Sequence, residues 1–587
     1  MDCQSCDAGS ERADRPHTFL LHEPSHCEAC GRDVEARIVL RDGEVFALKF
    51  CPPCGQTEAK VSDDADAYVR ELIAHGDVPA NQAGDHLFKH TTSTCPECLD
   101  LVQAKVVIRS GQVFFKKDCA KCGPSEALVS EDSSYYVRAY GAARAGTEPH
   151  KFGSTVKAGC PTDCGTCGDH EQHTCLPIIE ITDHCNLECP VCIVNNQYSN
   201  HMTTADFSKV IDRLIEAEGT LESIALSGGE PTSHPLLLDL IRIATRDEIG
   251  RIVIITNGLR LGKDRAFAKS IQQSGAYVGL QLDGFSPETH EKIRGRDLTD
   301  EKNAALLALE ELDIPTQLIF VAARGINEHQ IGQAVELLLA KDHILSLNFQ
   351  PVAHTGRGGG NLEHDPMDRL TIPGVIRRID EQTHGKLKTS DFTPLPCSHP
   401  QCVSLTYILR LDDGSYLPFA RFADFKKHGN LLRSSATLAS TREMHDILQD
   451  VIYDVFADQD KIERGADALR ALRRTVDVMF PDRLLTPHEA IRIGEQQAKS
   501  IFLHHYMDRH DFDLERLRKC CHHYAQVDGR LMPACGFNMF HRGAAKGESM
   551  PLSGLGTPPS STPYLSGSRS DNAEPGTAKA RLKVLNQ

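Results

Sequence analysis

Cysteine spacing constrains this chain more than any other feature. Cys27, Cys30, Cys51 and Cys54 recur as Cys95, Cys98, Cys119 and Cys122, every one displaced by 68 residues without a gap. Gly43 and Gly111, Val45 and Val113, Phe46 and Phe114, Gly55 and Gly123, and the Tyr-Val-Arg runs at Tyr68 and Tyr136 share that displacement. A whole module is therefore duplicated, not only its thiols. Between the two C-x2-C pairs of each copy, VEARIVLRDGEVFALKF and VQAKVVIRSGQVFFKK read as two strands about a turn. Two such knuckles joined by a hairpin bring four thiolates to one ion, so mononuclear Fe or Zn is expected in each copy.

These modules are rubredoxin- or zinc-ribbon-like. Closed four-sulfur sites are structural, and an electron-relay role requires iron. The chain holds 22 cysteines in 587 residues, and no basic stretch followed by an apolar one opens it. Close C-x2-C and C-x3-C-x2-C groups in a large chain of this kind indicate metal or cluster ligation rather than disulfides, and a reducing cytoplasm. A formal net charge of −17 argues against non-specific nucleic-acid binding, which needs clustered cations. No window resembles a membrane span.

The expected organisation is a leader over 1–22, probed by no motif except Cys3 and Cys6; a first ribbon over 23–75; a second over 91–143; an auxiliary cluster segment over 150–177; a core over 178–380; a C-terminal cluster region over 381–545; and a disordered Gly/Ser/Pro-rich tail over 546–587. In the core, LPIIEIT, LESIALSG, RIVIITNG, YVGLQLDG, IPTQLIFVA and ILSLNFQPV alternate with amphipathic segments, the pattern of a parallel βα repeat. Residues 436–518 read as largely helical.

Directly after the first core strand, ITDHCNLECPVC places Cys185, Cys189 and Cys192 as C-x3-C-x2-C. A 4Fe–4S cube held by three cysteines keeps one iron free of protein ligands. Such an iron can chelate the amino and carboxylate groups of S-adenosylmethionine, and an electron from the cluster then cleaves the sulfonium to a 5′-deoxyadenosyl radical. Cys160, Cys164 and Cys167 have the same spacing, and downstream context decides between the two. After Cys192 come Ser227-Gly228-Gly229-Glu230-Pro231, Thr256-Asn257-Gly258 and Gln281-Leu282-Asp283-Gly284, all at strand ends, where α/β folds gather ligands. The glycines are expected to let backbone approach the ligand.

CNLECPVC, SGGEPT, IITNG, LQLDG, the KIRG ending at Gly295 and the ARGIN starting at Ala323 resemble the radical S-adenosylmethionine superfamily in order and spacing. The resemblance implies an α/β fold with a partial (β/α)6 barrel over 178–380. It implies that Gly228, Gly229, Glu230, Asn257, Asp283, Arg324 and Gln350 contact S-adenosylmethionine, Glu230 through the methionyl amine. Val191 stands where the family usually has an aromatic residue.

Cys160, Cys164, Cys167, Cys397, Cys402, Cys520, Cys521 and Cys535 number eight, enough for two further 4Fe–4S clusters. Their division is not legible from spacing, adjacent Cys520 and Cys521 point in different directions, and Cys175 is recruited by no spacing. The order of ribbon, CPTDCGTCGDHEQHT, CNLECPVC, PLPCSHPQC and CCHHY…DGRLMPACGFN resembles the tetraether lipid synthase family over about residues 91–545. That resemblance implies coupling of terminal methyl carbons of two lipid chains, with a small-molecule or lipid substrate, an electron donor such as ferredoxin or flavodoxin, and a cytoplasmic enzyme reaching the inner membrane face peripherally. The first ribbon at 27–54 departs from that pattern. The alternative is a radical methyltransferase acting on a pterin or another small molecule. A peptide-modifying enzyme lacks its C-terminal cysteine spacing here, and a cluster-bearing electron carrier has no use for SGGEP.

Overall fold

The computed structural model describes residues 12–542 apart from 83, 158, 195–199, 357–361, 363–364, 397, 425–426 and 429–437. The tail, Cys3, Cys6 and Cys397 thus lie outside the described residues. Each ribbon is a four-stranded antiparallel sheet in sequential order: β1 (Thr18–His26), β2 (Asp33–Arg41), β3 (Glu44–Cys51) and β4 (Gly55–Ser62), then β5 (His86–Thr94), β6 (Leu101–Arg109), β7 (Gln112–Cys119) and β8 (Gly123–Ser130). The expected hairpins are β2–β3 and β6–β7. Their two-residue turns place Asp42 and Gly43, or Ser110 and Gly111, at positive φ, as the twist of a tight hairpin demands. β1 and β4, with their counterparts β5 and β8, were not anticipated, because they carry weaker alternation outside the knuckles.

The six expected core strands form a continuous parallel sheet: β9 (Leu176–Thr182), β10 (Ile224–Gly228), β11 (Ile252–Thr256), β12 (Tyr277–Gln281), β13 (Thr316–Ala322) and β14 (Ile344–Pro351). Helices such as Thr204–Glu218, Arg265–Ser274 and Ile331–Ala340 cover its outer face, and Ile179, Leu226, Ile254, Val278, Leu318 and Leu347 fill the layer between.

The C-terminal region adds β15 (Thr393–Pro394), β16 (Val403–Arg410), β17 (Tyr416–Pro418), β18 (Ala498–His504), β19 (His522–Ala525) and β20 (Leu531–Pro533). Helices Arg442–Asp458, Gly465–Met479 and Pro487–Gln497 agree with the helical reading, but AKSIFLH at 498–504 is a strand. Ile501 and Leu503 bury themselves toward the helical layer while Phe502 and His504 face the other side, the two-residue period of a strand. β18 pairs parallel with β14 at one edge of the core sheet, and β19 pairs parallel with β9 at the other. Eight parallel strands result, and the His504 and His522 rings, at the two outermost strands, meet with centroids 4.3 Å apart. Six staves are thus completed by two more from the far end of the chain, and side chains close the seam.

Both ribbons dock on this C-terminal region through one buried carboxylate. Glu515 accepts from the His22 amide (3.0 Å), Lys89 Nζ (2.5 Å) and Tyr140 Oη (3.0 Å), and lies 3.0 Å from His399 Nε2. Although burial opposes ionisation, Lys89 and His399 hold Glu515 well below the usual carboxylate range.

Candidate active site

The ribbon sites are the simplest to build. In each, the four ligand atoms lie within 4.8 Å of one another, with the Cys30–Cys51 and Cys98–Cys119 sulfurs 3.7 Å apart. A tetrahedral ion with metal–sulfur bonds of about 2.3 Å places its sulfurs about 3.8 Å apart, so both sets fit a metal as they stand. The Cys30 amide pulls the Cys27 thiol down to about 7, while the Cys30 and Cys27 side chains push Cys54 up to about 12. Only part of a metal-free site therefore ionises, and an ion must drive out the remaining protons.

The core site sits after β9. Among the described residues its three cysteines are not gathered as tightly as the ribbon sets, yet Cys185, Cys189 and Cys192 all line one cavity of about 280 Å³ in the barrel. Burial pushes Cys185 up to about 12 and raises Cys192 against the pull of Arg294 and Arg542. Arg294 stands beside Cys189 with its Nη2 buried and unpartnered. Buried thiols with a spare guanidinium N–H beside them suit an iron–sulfur cluster, whose iron displaces the protons and whose sulfurs accept the hydrogen bond.

Gly228 and Gly229 line the cavity, but their required smallness has another cause. A Cβ on Gly228 would lie 2.0 Å from the Thr182 carbonyl oxygen, and one on Gly229 would lie 2.1 Å from that of His184. The end of β10 is pressed onto the backbone that leads into Cys185, and the Gly229 and Glu230 amides donate to Thr182 and His184 at 2.7 Å each. The glycines therefore fix the cysteine loop by backbone contact, a tighter approach than the ligand contact expected of them.

Glu230 is 2% exposed. Its Oε1 accepts from Thr232 N (3.0 Å), Thr232 Oγ1 (2.6 Å) and Thr256 Oγ1 (2.6 Å), and its Oε2 from the Asn257 amide at 2.8 Å. One oxygen is saturated and the other retains accepting capacity. Asn257 Nδ2 donates to Asn186 Oδ1 (2.7 Å), tying the strand end to the cysteine loop. Gln350 also lines the cavity. Asp283 and Arg324 do not. Asp283 is fully buried, bonded to Arg294 Nε (2.6 Å) and the Val321 amide (3.0 Å), so it aims Arg294 at Cys189. Arg324 binds Glu131 of the second ribbon (2.7 Å), with Glu328 and Asp368 beside it. Its charge is spent on holding ribbon to barrel.

Lys302 was missed from sequence, hidden in an ordinary helix. It is buried, donates to the carbonyls of Asn257 (2.7 Å) and Gln281 (2.5 Å), and is lowered to about 8 by burial. It clamps two strand ends of the site together.

The remaining cysteines divide by neighbourhood. Cys402 Sγ accepts from Arg516 Nε (3.3 Å), Cys535 Sγ accepts from the Met507 amide (3.3 Å), and Cys520 lies close to both: burial and the neighbouring Cys402 raise Cys520, and burial and the neighbouring Cys520 raise Cys535. Cys160, Cys164 and Cys167 form a second group beside Arg518. Cys520 neighbours this group too, and Gly536 abuts Cys164. Cys521 turns the other way. It lines the barrel cavity with Cys175, whose amide donates to the Cys521 carbonyl (2.9 Å).

A parallel barrel with three cysteines after its first strand and a Gly-Gly-Glu at the end of its second defines a radical S-adenosylmethionine domain. Residues 179–338 match the Radical SAM superfamily, and residues 19–63 and 87–131 each match the HMPTM N-terminal zinc ribbon domain. The chain thus carries a radical SAM domain behind two zinc ribbon modules. It is 28% identical to the 7,8-dihydro-6-hydroxymethylpterin dimethyltransferase of Methanocaldococcus jannaschii over 77% of this chain and 94% of that one. It is 26% identical to the GTP 3′,8-cyclase of Petrotoga mobilis over 31% of this chain and 58% of that one. The solved Streptococcus suis SuiB bound to S-adenosylmethionine shares 17% identity over 36% of this chain and 47% of that one, with a TM-score of 0.30. Among the described residues no helix is long and apolar enough to cross a membrane.

Proposed function

We propose that this protein is a radical S-adenosylmethionine methyltransferase whose substrate is a pterin. This reverses the order of the two readings drawn from sequence, where lipid coupling stood first. The carrying observation is the span of the pterin dimethyltransferase match, which covers 77% of this chain and 94% of that enzyme. The cyclase match spans about half of its relative and supports only the shared barrel chemistry.

The cavity supports the same choice. Among the described residues its lining cations are Arg251 and Arg294. Arg251 is bound to Glu495, and Arg294 to Asp283. A nucleoside triphosphate would demand free cations there, whereas a neutral pterin ring does not.

In this reading Cys185, Cys189 and Cys192 would hold a 4Fe–4S cluster, and the Cys160 and Cys402 groups would hold two auxiliary clusters. The cluster supplies the electron, and S-adenosylmethionine bound to it supplies the hydrogen-abstracting radical. The chain itself does the positioning. Glu230 Oε2 accepts from the methionyl ammonium, Gln350 and Asn257 border the adenosyl group, and Arg294 steadies Cys189. The staves β18 and β19 wall the cavity against water, which would otherwise quench a primary radical.

The test is anaerobic incubation of holoenzyme with reductant, S-adenosylmethionine and either a 7,8-dihydropterin or a membrane lipid extract. Deoxyadenosine with a methylated pterin is expected, and Cys185→Ala abolishes both. Lipid dimers with an unchanged pterin would reject the proposal.

A further inference from the structure

Four buried polar atoms belong to residues that line the barrel cavity: Ser223 Oγ, Asn348 Oδ1, His504 Nδ1 and His522 Nδ1 have no partner among the described residues. Buried polar atoms are ordinarily paired, so four orphans on residues lining one cavity mark a place built for a polar ligand. They do not come from the superfamily motifs. Ser223 immediately precedes β10, Asn348 lies in β14, His504 ends β18 and His522 begins β19. The two imidazoles meet at 4.3 Å, the Tyr506 ring lies 4.2 Å from that of His504, and Tyr524 lines the same cavity.

We infer that this polar lining is the recognition site for the planar, N–H-bearing edge of the substrate, read by Ser223, Asn348, His504 and His522; the inference rests on the pterin reading and adds its specificity residues. The amide oxygen of Asn348 accepts from a ring N–H or amino group. Each imidazole Nδ1 donates or accepts according to its tautomer, and the Ser223 hydroxyl does either. A pterin edge offers amino and lactam N–H donors beside a carbonyl acceptor, and its flat face suits the Tyr506 and Tyr524 rings. An alkyl chain on this lining would leave all four atoms unsatisfied. Ser223 and Gly228 stand at opposite ends of β10, roughly 17 Å apart at the rise of an extended strand. That span accommodates a ring on the polar lining with S-adenosylmethionine at the cysteine end.

The experiment titrates anaerobic holoenzyme, without reductant, with a 7,8-dihydropterin and separately with S-adenosylmethionine. Asn348→Leu and His504→Phe are expected to weaken pterin affinity about tenfold or more. Affinity for S-adenosylmethionine and the cluster absorbance should stay at wild-type values. Ser223→Ala, the smallest change, is expected to weaken pterin several-fold and guards against misfolding of the other two. Pterin affinity unchanged in all three variants overturns the assignment while the pterin reading stands. If wild-type protein ignores the pterin but binds guanosine, and the same substitutions weaken guanosine, the recognition site is upheld and the pterin reading falls. Binding of neither probe overturns both.

Discussion

The two ribbons carry the same metal motif, and the same position can be a surface residue in one and a buried anchor in the other. Lys49 and Lys117 occupy equivalent places. Lys49 pairs with exposed Glu28 at 3.1 Å, whereas Lys117 is buried and donates to the carbonyls of Thr94 (2.9 Å) and His510 (2.8 Å). Asp63 sits on the surface beside Lys60, while its counterpart Glu131 binds Arg324 and the Thr371 amide of the barrel. Other pairs are indifferent to context: Arg41 with Glu58 and Arg109 with Glu126 are both 2.6 Å, and each arginine lies over its Phe46 or Phe114 ring at 4.2 or 4.3 Å. The repeat therefore preserves what the module needs for its own turn and metal, and diverges where the second copy was built into the catalytic body.

The sharpest test of that difference compares Cys119→Ala with Cys51→Ala. Each should lose one metal equivalent. The second-ribbon variant should also lose deoxyadenosine formation about tenfold or more, because its ribbon is tied to the barrel through Glu131 and Arg324, and the first-ribbon variant should retain most of it. Equal losses would erase the distinction. Next in size, Glu515→Gln leaves Lys89 buried without its partner and should lower unfolding free energy by about 3–5 kcal/mol in denaturant titration. Both ribbons are tied to Glu515, so proteolysis of that variant should release both. Smaller again, Lys117→Met should cost about 1–3 kcal/mol by orphaning two carbonyls, and Lys49→Met should be silent in the same titration. Last, a chromogenic chelator should draw metal in two phases, the first ribbon emptying several-fold faster, since Cys30 and Cys54 are both exposed whereas Cys98 is partly covered. A single phase would show the two sites equally open.

The same contrast explains what could be read in advance. Metal knuckles, hairpins and the six core strands are local patterns of period, turn and spacing, and each was legible. Whether Lys117 is solvated or buried depends on His510, nearly four hundred residues away, and nothing local distinguishes it from Lys49. The strand at Ala498–His504 begins where the helix Pro487–Gln497 ends, with no Gly or Pro between them to mark the change, so the two added staves went unseen, and with them the polar lining. Motif residues divided likewise. Glu230, Asn257 and Gln350 face the cavity, whereas Asp283 and Arg324 have their charges consumed by neighbours that spacing does not reveal.

The pairing of Leu176 with His522 sets an order on biosynthesis. The cysteine loop leaves the ribosome long before the strand that will lie beside β9, so during translation the loop stands in an open-sided sheet.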